Sequence, residues 1–243
     1  MIDSVSWFQC TSSYGPKGSV ARYPASGRFR QFVANPYIEI GVTPRTTLIF
    51  NPSIPYLEYH DLNNAKSSGG LGDFEVSFRR RLNSVETPWV ISGQFTWMFP
   101  AYSQTQDPAP GNHQQDFEGR FLAGRGGSLG GKHAFWDVEA AYRFRTGAPA
   151  DQVRVDGSAG LNVTRRLMLL GQMFNIKGMR NGSPVRPNSN PNAQSDFDLY
   201  KWQASAVVSL TDRTRVQLGW GQTFAGRNTG QGPTLVLGLW RIF

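Results

Sequence analysis

The chain has 243 residues, with 25 Lys plus Arg against 17 Asp plus Glu and a single cysteine. Charged residues make up 17%, against about 25% in an average soluble domain, while glycine (27 residues) and aromatics (13%) are abundant. A charged disordered chain, a coiled coil and a disulfide-stapled miniprotein are excluded on that basis. No apolar run approaches the roughly 18 residues that a membrane helix needs, and Leu167-Met168-Leu169-Leu170 is typical of those present. A helical membrane protein is therefore excluded. A membrane β-barrel is not, because its strands carry apolar residues only at alternate positions.

The net charge of +8 raises the question of nucleic acid, but the basic residues are scattered, and the densest run, Arg79-Arg80-Arg81, sits inside an alternating pattern. No nucleic-acid partner is expected. Cys10 has no second cysteine to pair with and reads as an inert thiol on a strand. The start, Met1-Ile2-Asp3-Ser4-Val5, has neither a basic n-region nor an apolar h-region. Either the chain is cytoplasmic or its numbering begins after a removed signal peptide.

Period-two alternation predicts twelve strands. In chain order they are 2–12, the weakest, then 29–42, 47–59, 73–82, 89–101, 117–125, 136–144, 153–163, 167–176, 200–210, 216–224 and 235–243. In 73–82, four of five even positions are apolar and every odd one is polar. Trp136, Val138, Ala140, Tyr142 and Phe144 share one face of the seventh strand, while Asp137, Glu139, Arg143 and Arg145 share the other with Ala141. Short connections (Thr43-Pro44-Arg45, 83–87, Thr164-Arg165-Arg166, Thr211-Asp212-Arg213) alternate with long Gly/Pro/Asn-rich ones at 13–28, 60–71, 102–114 and 178–195. Outer-membrane barrels have this asymmetry of tight periplasmic turns and longer outer loops. Only the middle fits poorly, since 126–132 should be a short turn and 146–150 a long loop. No interdomain linker is evident, so 1–243 reads as a single domain.

Aromatics expected on the outer face are Trp97, Phe99, Trp136, Tyr142, Phe144, Trp202, Trp220, Phe224 and Trp240, several of them near strand ends as in an interfacial girdle. The last strand, with Leu235, Leu237 and Leu239 on one face, ends on Phe243. That resembles the assembly signal of bacterial outer-membrane barrels, from which Arg241 departs. The fold class expected is an all-β, transmembrane, antiparallel up-and-down barrel of about 12 strands in the bacterial outer membrane. A soluble β-sandwich with exposed aromatics is the alternative.

Three stretches resemble proteins of the phenol-degradation meta-pathway outer-membrane family. They are Gly41-Val42-Thr43-Pro44-Arg45-Thr46-Thr47-Leu48; Gly69-Gly70-Leu71-Gly72-Asp73-Phe74 followed by Arg79-Arg80-Arg81-Leu82; and the tail from Ser209-Leu210-Thr211-Asp212-Arg213 through Ala225-Gly226-Arg227-Asn228-Thr229-Gly230 to Phe243. The resemblance implies a transporter-like barrel for aromatic or other hydrophobic compounds and brings no catalytic residues.

Strand parity places Glu39, Asp73, Glu75, Asp116, Glu118, Asp137, Glu139 and Asp156 on the lumen face with Arg79, Arg81, Arg120, Arg143, Arg145, Arg154, Lys201 and Arg215. Eight acids face eight bases, so the interior is near neutral and the excess positive charge belongs to loops and ends. Such charges must pair across strands. They serve either as a structural network propping a narrow lumen or as a constriction that selects solutes. Glu75, Arg79, Glu118, Arg120, Glu139 and Arg143 are expected to form the central network, bridged by Ser92, Gln94 and Thr96.

Catalysis is not expected: His60, His113 and His133 belong to no recognisable Ser–His–Asp set, and with Cys10 they give no metal-ligand spacing. No cofactor is implied. The glycine run 124–131 reads as a flexible turn, and Asn188-Ser189-Asn190-Pro191-Asn192 as loop chemistry. Pro36, Pro52 and Pro55 cannot donate ladder hydrogen bonds and predict a bulge, or a lateral opening, around strands two and three. Twelve strands lie between the roughly eight that side chains fill and the sixteen of a wide pore, so a narrow passage for small solutes is expected. The alternative is a plugged barrel that anchors another envelope component. Expected partners are outer-membrane lipid and lipopolysaccharide, a small solute, and a second copy of the chain or another envelope protein.

Overall fold

In the computed structural model, which describes residues 1–185 and 187–243, the chain forms a closed antiparallel barrel. Its twelve strands are β1 (Ile2–Cys10), β2 (Arg28–Thr43), β3 (Thr46–Pro52 and Ile54–His60), β4 (Ala65–Gly69 and Asp73–Arg81), β5 (Trp89–Pro100), β6 (Asp116–Leu129), β7 (Lys132–Arg145), β8 (Gln152–Asn162), β9 (Leu167–Gly178), β10 (Asp198–Ser209), β11 (Thr214–Arg227) and β12 (Pro233–Arg241). Each pairs with its neighbours in sequence. The segment with the weakest alternation, β1, closes the ring, running against β12 from Ile2↔Trp240 to Phe8↔Thr234 and against β2 from Ile2↔Tyr37 to Cys10↔Phe29. Closure leaves no unpaired edge in the wall, which is what allows strands to cross a bilayer.

The outer face is apolar along its length. Phe32, Ile40, Phe78, Phe95, Phe121, Val138, Val155, Leu169, Leu218 and Leu237 all stand exposed. Water would not tolerate so continuous a belt, whereas hydrocarbon does. Edge-to-face tryptophan pairs border it, Trp89–Trp136 at 5.1 Å and Trp202–Trp220 at 4.9 Å between ring centroids.

Four local expectations need correction. The connection expected at 60–71 is only four residues long, because Ala65–Gly69 pairs with β3 from Tyr56↔Gly69 to His60↔Ala65. The glycine run 124–131 is mostly strand: β6 and β7 stay paired to Leu129↔Lys132, and only Gly130 and Gly131 turn, both at positive φ (57° and 77°). Two consecutive left-handed residues make the type I′ turn whose twist suits a hairpin, and glycine adopts it without strain. The connection 146–151 stays short, its end fixed by Asp151 Oδ1, which accepts the Arg145 N–H at 2.8 Å. Trp240 points inward, donating from Nε1 to Gln217 Oε1 at 3.0 Å and packing on Met168, Leu170 and Val207.

At the prolines, the β2–β3 ladder lapses between Ala34↔Ile54 and Ile38↔Phe50. The other side of β3 is sealed by Ser53 N–H to Asp73 O at 2.9 Å and Gly72 N–H to Ser53 O at 2.7 Å. The register is the same on both sides of the gap, so the feature is a local interruption of the ladder and not the expected bulge; the register shifts only near the turn, between Gly41 and Thr43.

Both termini lie at the short-turn end, where the Met1 ammonium and carbonyl bond the Arg241 backbone. At the opposite end, Ser12–Tyr14, Val20–Arg22 and Thr229–Gln231 form a small sheet above the wall. Inside, below that mouth, Phe8, Cys10, Phe29 and Leu57 pack together with Tyr23 and Tyr59.

Candidate functional site

Alternation along β6, β7 and β8 turns Asp116, Glu118, Arg120, Glu139, Arg143, Arg145, Arg154 and Asp156 to the inner face, away from Phe117, Phe121, Tyr142, Phe144 and Val155. Glu118, with a side chain only 3% exposed, is the hub. Its Oε1 accepts Arg120 Nε–H at 2.8 Å, its Oε2 accepts Arg143 Nε–H at 2.9 Å, and Arg154 Nη1 stands 3.7 Å from Oε2. Arg120 extends the chain of pairs to Asp156 Oδ2 at 2.9 Å and to Glu139. Asp116 takes the far end, 3.4 Å from Arg145 Nε and 4.0 Å from Arg143 Nη1. Four carboxylates and four guanidiniums thus share one wall, and their charges cancel.

Among the described residues no ion pair ties the remaining inward charges to this cluster, although Asp73 lies near its Asp116, Arg143 and Arg145 end. Arg79 pairs with Glu39 at 2.9 Å, while donating to the Tyr37 hydroxyl at 3.0 Å and Gln94 Oε1 at 2.8 Å. Glu75 accepts from Asn51 Nδ2 at 3.0 Å. The expected six-residue network is therefore divided between two walls, with Glu75 and Arg79 separate from the rest. The polar residues of β5 link it to β4 alone: Ser77 and Thr96 are 2.8 Å apart, and Gln94, which accepts from Arg79, donates from Nε2 to Thr96 Oγ1 within the strand at 3.0 Å, whereas Ser92 is simply buried. Arg81 caps the 82–88 turn, donating to the carbonyls of Ser84, Thr87 and Trp89. Asp137 lies opposite Ser158, and Asp73 beside Tyr102. Lys201 lies over the Phe174 ring at 5.9 Å. Among the described residues, neither Lys201 nor Arg215 has a carboxylate within ion-pair distance.

Sequence reasoning missed the cap on the barrel. The segment 101–115 and the described residues 179–185 and 187–197 cross the mouth and are stitched together. Ser189 N–H donates to Asp107 Oδ1 at 2.7 Å, Asn190 Nδ2 to Ala109 O at 2.8 Å, and Asn112 Nδ2 to Gln194 O at 3.2 Å. The cap is tied to the wall by Lys66, 2.6 Å from Asp107, and by Asn192, whose Nδ2 donates to Gln31 Oε1 on β2 at 3.2 Å. Asn190 is 2% exposed, which is unusual for an amide outside a sheet. Burial acts to raise the Asp107 carboxyl, but the Lys66 ammonium and the Ser189 N–H outweigh it and hold the group below the usual carboxylate range. Beside the cap, Arg227 joins Asp196 (2.7 Å) and Asp198 (3.1 Å), and Arg180 joins Asp198 (3.2 Å). The asparagine-rich run 188–192 was the available signal: such side chains can satisfy backbone groups that no ladder reaches.

No family model matches the sequence, and no curated protein matches it either. The fold is similar to that of the COG4313 outer membrane channel from Pseudomonas putida F1, at 16% identity and a TM-score of 0.66, covering 100% of this chain and 95% of that one. The NanC porin (7% identity, TM-score 0.59, 100% of both chains) and the KdgM porin (7%, 0.52, 99% of both) share the architecture. At these identities the likeness establishes the barrel fold.

Proposed function

We propose that the chain is a bacterial outer-membrane channel that passes small solutes through a narrow lumen, with the charge cluster of β6–β8 lining its path. The observation that carries this reading is a closed twelve-strand wall, apolar outside, holding eight paired charges inside on one flank. Glu39, Arg79, Lys201 and Arg215 add charge elsewhere on the inner face. The fold neighbours named as a channel and porins support it. Aromatic or hydrophobic solutes are the finer reading, resting on the meta-pathway resemblance of Gly41–Leu48, Gly69–Leu82 and the tail. Lipid is the surrounding that suits the apolar outer belt, and lipopolysaccharide is the finer partner proposed with it. Reconstitution in planar bilayers tests the proposal: discrete conductance steps are expected, with aromatic solutes reducing the current. A chain that inserts without conducting refutes it.

A second reading, a plugged barrel that anchors another envelope component, is favoured by the stitched cap. Asn192→Ala cuts the bonds from the cap to Gln31 and to the Gly230 N–H. Under the channel reading it changes the amplitude or noise of a current already present, whereas under the anchor reading neither protein conducts.

A further inference from the structure

At the mouth, a cleft of about 520 Å³ opens between the small hairpin, the β3–β4 turn and the cap. Tyr23 and Tyr59 stand edge to face at 6.4 Å and form an aromatic floor, backed by the apolar cluster of Phe8, Cys10, Phe29 and Leu57. Around that floor the lining is amide and hydroxyl, including Asn64, Asn188, Gln194 and Asn228.

The one ammonium in the cleft is already paired, and the one carboxylate is held by its own turn. Among the described lining residues only Asp61 and Lys66 carry charge. Lys66 gives its ammonium to Asp107 at 2.6 Å and Ser189 Oγ at 3.3 Å. Asp61 Oδ1 accepts the Asn63 and Asn64 N–H groups, both at 2.7 Å, and the Asn64 side chain at 3.4 Å. A free anion would have to break the Lys66 bonds to find a partner, and the one open carboxylate oxygen, Asp61 Oδ2, belongs to a solvent-facing turn where water screens its charge. No group of three metal-ligating side chains occurs among the described residues. Apart from that oxygen, what remains free is neutral: Asn64 Oδ1 and Gln194 Oε1 accept nothing from the described protein, while their amino groups bond Asp61 and Asn190 O.

An amide offers both donor and acceptor, the same dual capacity as a ligand hydroxyl. An aromatic face next to such groups suits a molecule with a polar rim and an apolar C–H face. We infer that this cleft binds a neutral saccharide, with one sugar ring on Tyr59 and its hydroxyls on Asn64 and Gln194. The sugar could arrive as a free solute or as part of the lipopolysaccharide that surrounds the mouth; the chemistry is shared. The inference concerns binding and is independent of conduction.

The full chain, refolded in detergent free of lipopolysaccharide, is titrated calorimetrically with maltose and with N-acetylglucosamine, with benzoate and choline as charged controls. Binding of a sugar is expected, and neither control should bind at the cleft. Asn64→Ala and Gln194→Ala, both outside the barrel wall, should each weaken it about three- to tenfold, as expected for losing one hydrogen bond. Tyr59→Leu keeps apolar packing but removes the aromatic face and should weaken it further; retained β circular dichroism excludes misfolding. A second titration uses lipopolysaccharide micelles. Binding there but not to free sugars, sensitive to the same variants, assigns the saccharide to lipopolysaccharide. Binding of benzoate or choline that Tyr59→Leu abolishes, sugar binding unaffected by all three variants, or no binding of any saccharide overturns the inference.

Discussion

Replacing Glu118 by Gln removes one charge with almost no change of shape, from a side chain that three arginines address at 2.8, 2.9 and 3.7 Å. Four carboxylates against four guanidiniums become three against four, so the cluster changes from neutral to a net +1. Leaving a buried charge uncompensated costs about 3–5 kcal/mol. The lower end applies here, because Arg143 and Arg154 keep 16% and 19% of their side-chain surface open and water shares their solvation. Arg120→Gln makes the opposite change, leaving Glu139 and Asp156 without their shared partner and the cluster at −1. Urea unfolding in detergent should show both variants destabilised by about 3 kcal/mol. In a salt gradient across a planar bilayer, Glu118→Gln should move the reversal potential towards anion selectivity and Arg120→Gln towards cation selectivity. The double variant should return close to the starting selectivity. If both single variants conduct with unchanged reversal potential while losing stability, the cluster is a structural prop away from the ion path. If they lose neither, the pairs are solvated and the reasoning about a confined wall fails.

The cap should loosen in acid. Asp107 has a depressed carboxyl, so its contribution is present above the unfolded value near pH 4 and is lost as pH falls through the lower folded value. Hydrogen exchange of the segment 187–197 should therefore rise only below about pH 4, while Asp107→Asn should raise it at neutral pH as well; an acid-insensitive exchange rate contradicts the latch. Gly160→Ala places a Cβ against the Phe135 ring and should cost about 1–3 kcal/mol by urea unfolding, whereas Gly119→Ala meets nothing within 4 Å and should be near neutral. Phe121 is half exposed midway along β6, and Phe121→Arg should cost about 2–4 kcal/mol of folding into liposomes. Unaltered folding would mean that this face does not meet hydrocarbon.

The wall was legible because a barrel strand repeats one physical instruction, apolar outside and polar inside, that survives in 73–82 or 136–144 without knowledge of any partner. The same parity turned the Glu118 cluster to the inner face, since all eight of its members fall on one phase of three adjoining strands. Parity gives no information about distance along or around the lumen, so Glu75 and Arg79 were grouped with a cluster they do not reach. Trp240 was misplaced for a related reason: an aromatic near a strand end suggests an interfacial girdle, yet its phase is that of Thr234 and Gly238, which are buried. Segment 65–69, Ala-Lys-Ser-Ser-Gly, carries no apolar face at all and reads as loop. Its pairing with β3 is supplied by the partner's backbone.

The cap was hidden by a deeper asymmetry between kinds of information. Asn188, Asn190 and Asn192 belong to no periodic pattern; Asn188 bonds within its own loop, while Asn190 reaches Ala109 and Asn192 reaches Gln31 and Gly230, residues many positions away. The consequence for function is physical. The apolar cluster around Phe29 fills the flank of β1–β3, while the charge cluster occupies that of β6–β8. Phe29 and Leu57 have no exposed surface, so that flank is packed shut, and a solute passing beneath the cap runs along the paired charge. A molecule with a hydrogen-bonding edge can bond to those pairs without breaking them, while an ion must compete with pairs already made. Under the channel reading, this asymmetric interior favours solutes with a hydrogen-bonding edge over simple salts, and replacing Leu57 by a polar residue should destabilise the packed flank in urea unfolding without changing that preference.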